Sequence, residues 1–250
     1  MKICVLNLSG NVGKSTLAVH LMAAFMPKAK IISVESINAS NTQDVTGVDV
    51  EELSASRFKE IFRELLIHDD VIVDVGASNV AAFMSEITRF KSAVGEFDLL
   101  VVPTVPADKQ QRDTISTIDW LHALGVDGRK VRVIFNQYAP DSHEPIHVAY
   151  AKVTGYGISE GKGKAVFEPH AIVSHNEVYE MVKRTGRTMG ELAADATDWR
   201  HARTAAKAAG DADALELAIE GQIAHDLALT AQDNLKQVHD MLFPPRGKKA

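Results

Sequence analysis

Residues Ser9-Gly10-Asn11-Val12-Gly13-Lys14-Ser15-Thr16 bring three kinds of chemistry together in eight positions. Gly10 and Gly13 let backbone N–H groups approach phosphate oxygens, because an inward Cβ would block them. Lys14 supplies a cation for β- and γ-phosphates, and the Ser15 hydroxyl is a hard oxygen ligand suited to Mg²⁺. An apolar run, Ile3-Cys4-Val5-Leu6, precedes the string, and helix-forming residues 17–25 follow it. Strand, glycine-rich turn and helix are the context that a phosphate loop requires. A helix opening near Ser15 adds the positive end of its dipole. The plain alternative, a chance Gly-Lys-Ser turn, fits this context poorly.

A second acidic feature suits the first. Val71-Ile72-Val73 delivers Asp74 to the end of an apolar strand, where a carboxylate can hold a metal-bound water beside the loop. Many strands also end in Asp for turn reasons alone. Gly76, just beyond, can let the next loop respond to a γ-phosphate. The ten histidines are scattered, and no Cys or carboxylate partner completes a zinc spacing around His143, His147, His170 or His175. Mg²⁺ is therefore the only metal expected.

The elements that must position these groups alternate along the chain. Residues 3–6, 30–34, 71–75, 99–102 and 131–135 read as strands, with 166–167 as one more short strand. Helices are expected near 16–26, 52–67, 80–94, 108–124 and 174–184. Continuous apolar strands separated by helices imply an α/β fold with a mostly parallel sheet covered on both faces. Residues 139–165 read as a long surface excursion. From about Leu192 the chain becomes Ala-rich and helical, with helices at 193–209 and 212–243, a break at Gly210-Asp211 and a basic Arg246–Lys249 tail. The expected division is a nucleotide-binding domain over 1–192 and a helical extension over 193–250. In that extension Leu227, Ala231, Leu235, Val238 and Leu242 form a stripe that either packs back on the α/β domain or meets a partner.

With 250 residues, 46% of them hydrophobic, the chain can bury a full core. No apolar run is long enough to span a bilayer, and no secretory pattern opens the sequence. The single cysteine, Cys4, permits no disulfide within the chain and fits a cytoplasmic setting. A net charge of −6 argues against a chain wrapped in nucleic acid, though a local basic patch stays open.

The loop lacks the first glycine of the ordinary phosphate-loop string, Leu8 standing there. It resembles instead the deviant loop, Lys-Gly-Gly-x-Gly-Lys-Thr-Thr, of the ParA/MinD family of ATPases. The family's additional lysine, which reaches across a dimer to the partner's nucleotide, falls on Ser9, and its second glycine falls on Asn11. The segment after the second strand resembles Asp-x-Asp-Pro-x-x-Asn. Ser33 replaces its first aspartate, Glu35 falls on the second, which positions the attacking water, and Asn38 on the polar residue beyond. Glu35 as a solvated loop carboxylate is the alternative. At the fifth strand end, Asn136 resembles the family's adenine-side asparagine, or it is a turn former. Ala139 stands where a guanine-reading aspartate would be. Glu168-Pro169-His170 resembles the second base-side loop, and Val102-Pro103-Thr104-Val105-Pro106 the exit from the fourth strand. The matches cover residues 1 to about 192. Asp74-Val75-Gly76-Ala77-Ser78 and the missing lysine most resemble the StbB- and TraL-type proteins of conjugative plasmids.

The resemblance implies ATP and Mg²⁺ as cofactors. It places Lys14, Glu35 and Asp74 in catalysis, and Ser15 and Asp74 on the metal. Ser9, Gly10, Asn11, Val12, Gly13, Lys14, Ser15, Thr16, Asn136 and Pro169 would lie around the nucleotide. It implies a slowly hydrolysing ATP switch for plasmid partition, stability or positioning, with a link to conjugation as one form. Its partners would be a second copy in an ATP-dependent homodimer and a plasmid-encoded DNA-binding protein, with direct non-specific DNA binding open and membrane binding not expected. A metabolic ATP-dependent kinase or ligase on the same fold is the competing class, and a nucleotide-binding scaffold with little hydrolysis is the third.

Overall fold

A computed structural model describes residues 1–35, 50–90, 92–139 and 141–243. Seven strands run through it: β1 (Lys2–Val5), β2 (Lys30–Val34), β3 (Val50–Leu53), β4 (Val71–Val75), β5 (Leu99–Thr104), β6 (Val131–Tyr138) and β7 (Val166–Ser174). They form one sheet in the order β3-β2-β4-β1-β5-β6-β7, and every neighbouring pair is parallel. The chain winds outward from β1 to one side first and to the other side later. The order therefore reverses beside β1, where the carboxyl ends of open α/β sheets take ligands.

The helices are α1 (Lys14–Thr16), α2 (Phe58–Ile67), α3 (Val80–Arg89), α4 (Ala93–Glu96) and α5 (Asp108–Ala123) in the first half. They continue with α6 (Ile146–Ala149), α7 (Ala151–Ile158), α8 (Val178–Thr185), α9 (Met189–Ala193), α10 (Trp199–Ala209) and α11 (Ala212–Leu242). α1 runs on directly as a π-helix over Leu17–Met22 and a 3₁₀ turn over Ala23–Phe25.

Alternation along each strand divides the core between two faces. Cys4, Leu6, Ile32, Val73, Val102 and Val133 face Phe58, Phe83 and Ile118 of α2, α3 and α5. Ile3, Val5, Ile31, Ile72, Val101 and Ile134 face Leu17 and Leu21 of the helix after the loop and Leu235, Val238 and Leu242 of α11. Both sets are apolar, so the strands read as unbroken apolar runs. Cys4 is fully buried, and burial, then the Asp74 charge, push its thiol up, which makes it an inert small hydrophobe.

Several expectations need correction. Val50–Leu53 is a strand, not part of a helix starting at 52; its Glu51 and Glu52 mask a sheet edge, where charge is usual. Residues 139–165 are not simply a surface excursion. Tyr150 is fully buried, stacks edge-on to Phe135 and donates from its hydroxyl to the Asn136 carbonyl at 2.8 Å. Gln111 of α5 donates to the Ala149 carbonyl at 3.0 Å and accepts from the Lys152 N–H at 3.0 Å, tying this segment to α5. The strand at 166–167 extends to Ser174. Val133 pairs with Phe167 and Phe135 with Ile172, so an irregularity at 168–171 carries Pro169 on the edge strand, where its missing N–H is harmless.

The C-terminal stripe packs back on the sheet. Leu235, Val238 and Leu242 join the face that holds Ile3 and Val5, while Ala231 packs with Val178 and Val182 of α8. Asn234 of α11 accepts from the Ser174 N–H and donates to the Ile172 carbonyl, both at 2.9 Å, and so covers the open edge of β7. Among the described residues no helix is long and apolar enough to cross a membrane. Asn38 and the Arg246–Lys249 tail lie outside the described residues.

Candidate functional site

The loop after β1 is fixed on one side to α5. Asn7 Nδ2 donates to the Pro103 carbonyl and to Thr114 Oγ1, each at 2.8 Å, and the Leu8 N–H donates to Thr117 Oγ1 at 3.1 Å. The Ser9 N–H donates to Asn7 Oδ1 at 2.7 Å, and its hydroxyl bonds Asp113. Ser9 is only 2% exposed, so its side chain is spent on α5.

On the other side the loop is held by the end of β6. Asn136 Nδ2 donates to the Val12 carbonyl at 2.9 Å, and Gln137 Nε2 to the Asn11 carbonyl at 3.3 Å. Asn11 has φ 58° and Gln137 φ 59°, both in the left-handed region. Asparagine is among the few residues that tolerate it, which is why Asn11 can stand for a glycine. Gly13 has φ 81°, and a Cβ there would collide with the Asn136 amide. Gly10 has open space around it, so Gly13 is the glycine this turn requires.

Four functional side chains converge where β1, β2 and β4 end. Lys14 is 7% exposed, and its Nζ donates to the Ser9 carbonyl at 2.7 Å. Burial pushes its pKa down, while Asp74 and Glu35 oppose the shift. Asp74 is buried, and burial pushes its pKa up to about 6 against a Ser15 hydrogen bond and the Lys14 charge. Its Oδ1, sealed from solvent, has no hydrogen-bond partner. Glu35 sits just past β2; burial raises its pKa first, opposed by Lys14 and assisted by Glu52. Gly76 makes room for it, since a Cβ there would overlap the Glu35 carboxylate.

This donor set fits Mg²⁺. An orphaned carboxylate oxygen on Asp74 beside the Ser15 hydroxyl offers two hard oxygens. Among the described residues no group of three or more His, Cys, Asp or Glu could hold a metal by itself. Mg²⁺ here would draw its other ligands from phosphate and water, its usual habit.

Lys14, Ser15 and Glu35 open on a cleft of about 1040 Å³, while Asp74 is buried and not part of its lining. Gly10, Asn11, Gly13, Lys14, Ser15, Thr16, Glu35 and Asn136 line it. Three residues expected around the nucleotide do not. Ser9 turns to α5, Val12 is buried with its carbonyl on Asn136, and Pro169 is exposed within β7, away from the cleft. Because β7 runs on to Ser174, the segment at its carboxyl end is 174–177, and Ser174, His175, Asn176 and Glu177 line the cleft. Gln137, next to Asn136, and an α8 wall with Tyr179, Lys183 and Arg184 also line the cleft, and no motif of the sequence names them. The strongly amphipathic pattern of α8 was the available signal for that wall.

No family model matches the sequence. The maintenance of carboxysome distribution protein A of Gloeobacter kilaueensis is 29% identical over 147 residues, which are 56% of this chain and 64% of that protein. The match thus spans less than two thirds of the relative's length. The cell division ATPase MinD of Pyrococcus furiosus superposes with a TM-score of 0.54 at 12% identity, over 95% of this chain and 98% of that one. An ATP complex of a Cyanothece McdA variant superposes with a TM-score of 0.51 at 12% identity, over 99% and 98%. The parallel sheet, its flanking helices and the loop after β1 are the MinD- and McdA-like P-loop NTPase fold.

Proposed function

We propose that this chain is an ATPase of the ParA/MinD type that binds Mg·ATP and hydrolyses it slowly as a positioning switch. The observation that carries this reading is the convergence of Lys14, Ser15, Asp74 and Glu35 at one end of the sheet. Lys14 would bind the β- and γ-phosphates, and the loop N–H groups would cradle them. Asp74 and Ser15 would hold Mg²⁺, whose charge offsets that of the phosphates when it is bound. Glu35, across Gly76 from the loop after β4, would orient the attacking water. Asn136 braces the loop and would lie beside the base.

The relative named for carboxysome distribution supports a positioning role. Our finer reading takes the cargo to be a plasmid, with an ATP-dependent homodimer, a plasmid-encoded DNA-binding partner and a cytoplasmic setting. The loops at Glu35 and Gly76 would meet the second copy and respond to the γ-phosphate. The competing metabolic reading needs a small-molecule substrate, and nothing in the cleft singles one out.

The test is ATP turnover of the pure protein, alone, with DNA, with a partner protein and with a metabolite panel. Basal turnover should lie well below the ~1–10³ s⁻¹ common for metabolic enzymes and rise with DNA or partner. A fast rate that depends on one metabolite would overturn the proposal.

A further inference from the structure

We propose that Lys183 and Arg184 of α8 form a cationic wall, supplied by the same chain, that holds the phosphate chain of the bound nucleotide. The inference rests on the ATP-binding reading above and deepens it.

The charges around the cleft are its basis. Lys14, Lys183 and Arg184 are the lysines and arginines that line it, against the carboxylates of Glu35, Glu177 and Glu180. Lys14 alone cannot balance a triphosphate. Its ammonium is already engaged by the Ser9 carbonyl, and Asp74 and Glu35 both act on it. Ser9 brings no charge and faces α5. The helix end adds only a fraction of a charge. Mg²⁺ on Asp74 and Ser15 would offset part of the phosphate charge, but the Asp74 and Glu35 carboxylates return two negative charges to the site. Mg·ATP entering beside Glu35 therefore still gains from further cations, and α8 carries the remaining pair.

Packing fixes where that pair stands. Val178 and Val182 are buried against Ala224, Ala228 and Ala231 of α11, so α8 cannot rotate freely. The Tyr179 ring lies 5.6 Å from that of His20, on the helix that continues from the phosphate loop. Lys183 follows Tyr179 by four residues and so shares its face of α8. Its charge acts on His20, which places it close to the same helix. Among the described residues the Arg184 side chain has no hydrogen bond or ion pair. Lys183 is held at 2.8 Å by Glu180, an exposed pair that yields readily to a stronger anion. Guanidinium and ammonium groups facing one phosphate make charge-assisted hydrogen bonds, the strong kind.

The experiment compares full-length wild type with the Lys183→Ala/Arg184→Ala double variant and with Arg184→Lys. Calorimetry measures Mg·ATP and ADP binding, and adenosine is measured by competition against a fluorescent ATP analogue. The double variant should lose about tenfold in ATP and ADP affinity, keep its adenosine affinity and show an unchanged circular dichroism spectrum. Arg184→Lys should stay within about threefold of wild type. Unchanged ATP affinity in the double variant overturns the proposal. So does an equal loss for adenosine, which would make α8 a nucleoside wall. If wild type fails to bind ATP, the functional reading itself falls; if wild type binds and the double variant matches it, only this inference falls.

Discussion

The Asn136 side-chain amide donates to the Val12 carbonyl at 2.9 Å and fills the space that a Cβ on Gly13 would need. The end of β6 and the phosphate loop are therefore built to one another. Tyr150 completes the brace from behind by donating to the Asn136 carbonyl at 2.8 Å. This relationship explains why a loop with a single obligatory glycine can keep its shape.

Gly13→Ala should suffer twice, from a left-handed φ of 81° and from the collision with Asn136. The expected cost is at least ~1–3 kcal/mol in urea unfolding, together with loss of Mg·ATP binding. Asn136→Ala removes the partner of a buried carbonyl and should cost about 1–3 kcal/mol. Gly10→Ala, with open space around it, should cost under ~1 kcal/mol. Equal effects at positions 10 and 13 would contradict the geometry.

His20 gives the stability a pH dependence. Burial first, and the Lys183 charge second, lower its pKa from 6.5 to about 4. The folded chain keeps the ring neutral, while the unfolded chain binds a proton below pH 6.5. Its contribution is therefore fully present above pH 6.5 and is lost as pH falls towards 4. At 1.36 kcal/mol per pKa unit the loss amounts to about 3 kcal/mol. Urea unfolding at pH 7 and pH 4.5 should show a smaller acid loss in His20→Leu than in wild type. Parallel losses would show that the proton binds elsewhere.

Much of this architecture is legible in the residue order because the central strands are apolar on both faces. Ile3 and Val5 serve one side while Cys4 and Leu6 serve the other, leaving no polar position to blur the signal. The edges are harder to read. Glu51 and Glu52 protect an exposed strand and so disguise it, and Pro169 suggests a strand end where the structure has an irregularity within β7. At the site, a motif names residues without their directions. Ser9 occupies a nucleotide-facing position of the motif, yet its hydroxyl turns to Asp113. Lys183 and Arg184 belong to no motif; the amphipathic pattern of α8 marks only its buried face, and it is the packing of α8 against α11 that brings the pair to a loop ending more than 160 residues earlier.

The C-terminal helix should prove integral to the sheet. Leu235 is buried beside the face formed by Ile3, Val5 and Leu17, so Leu235→Ala should cost about 2–5 kcal/mol. Removing residues 212–250 uncovers that face and should yield aggregated protein, because it exposes apolar surface that the sheet cannot cover otherwise. Thermal unfolding of Leu235→Ala, beside Leu229→Ala at a half-exposed site on the same helix, separates packing from helix propensity. Equal shifts for both would contradict the packing role.

The central claim is that the loop after β1 binds Mg·ATP through Lys14, and calorimetric titration of wild type and Lys14→Ala tests it most directly. Lys14 offers several charge-assisted contacts to phosphate, each worth roughly 1.5–3 kcal/mol, so its removal should weaken Mg·ATP binding by about 100-fold or more while the circular dichroism spectrum stays that of a folded protein. Binding of Mg·ATP by folded Lys14→Ala as tightly as by wild type, or no binding by wild type, would contradict the account.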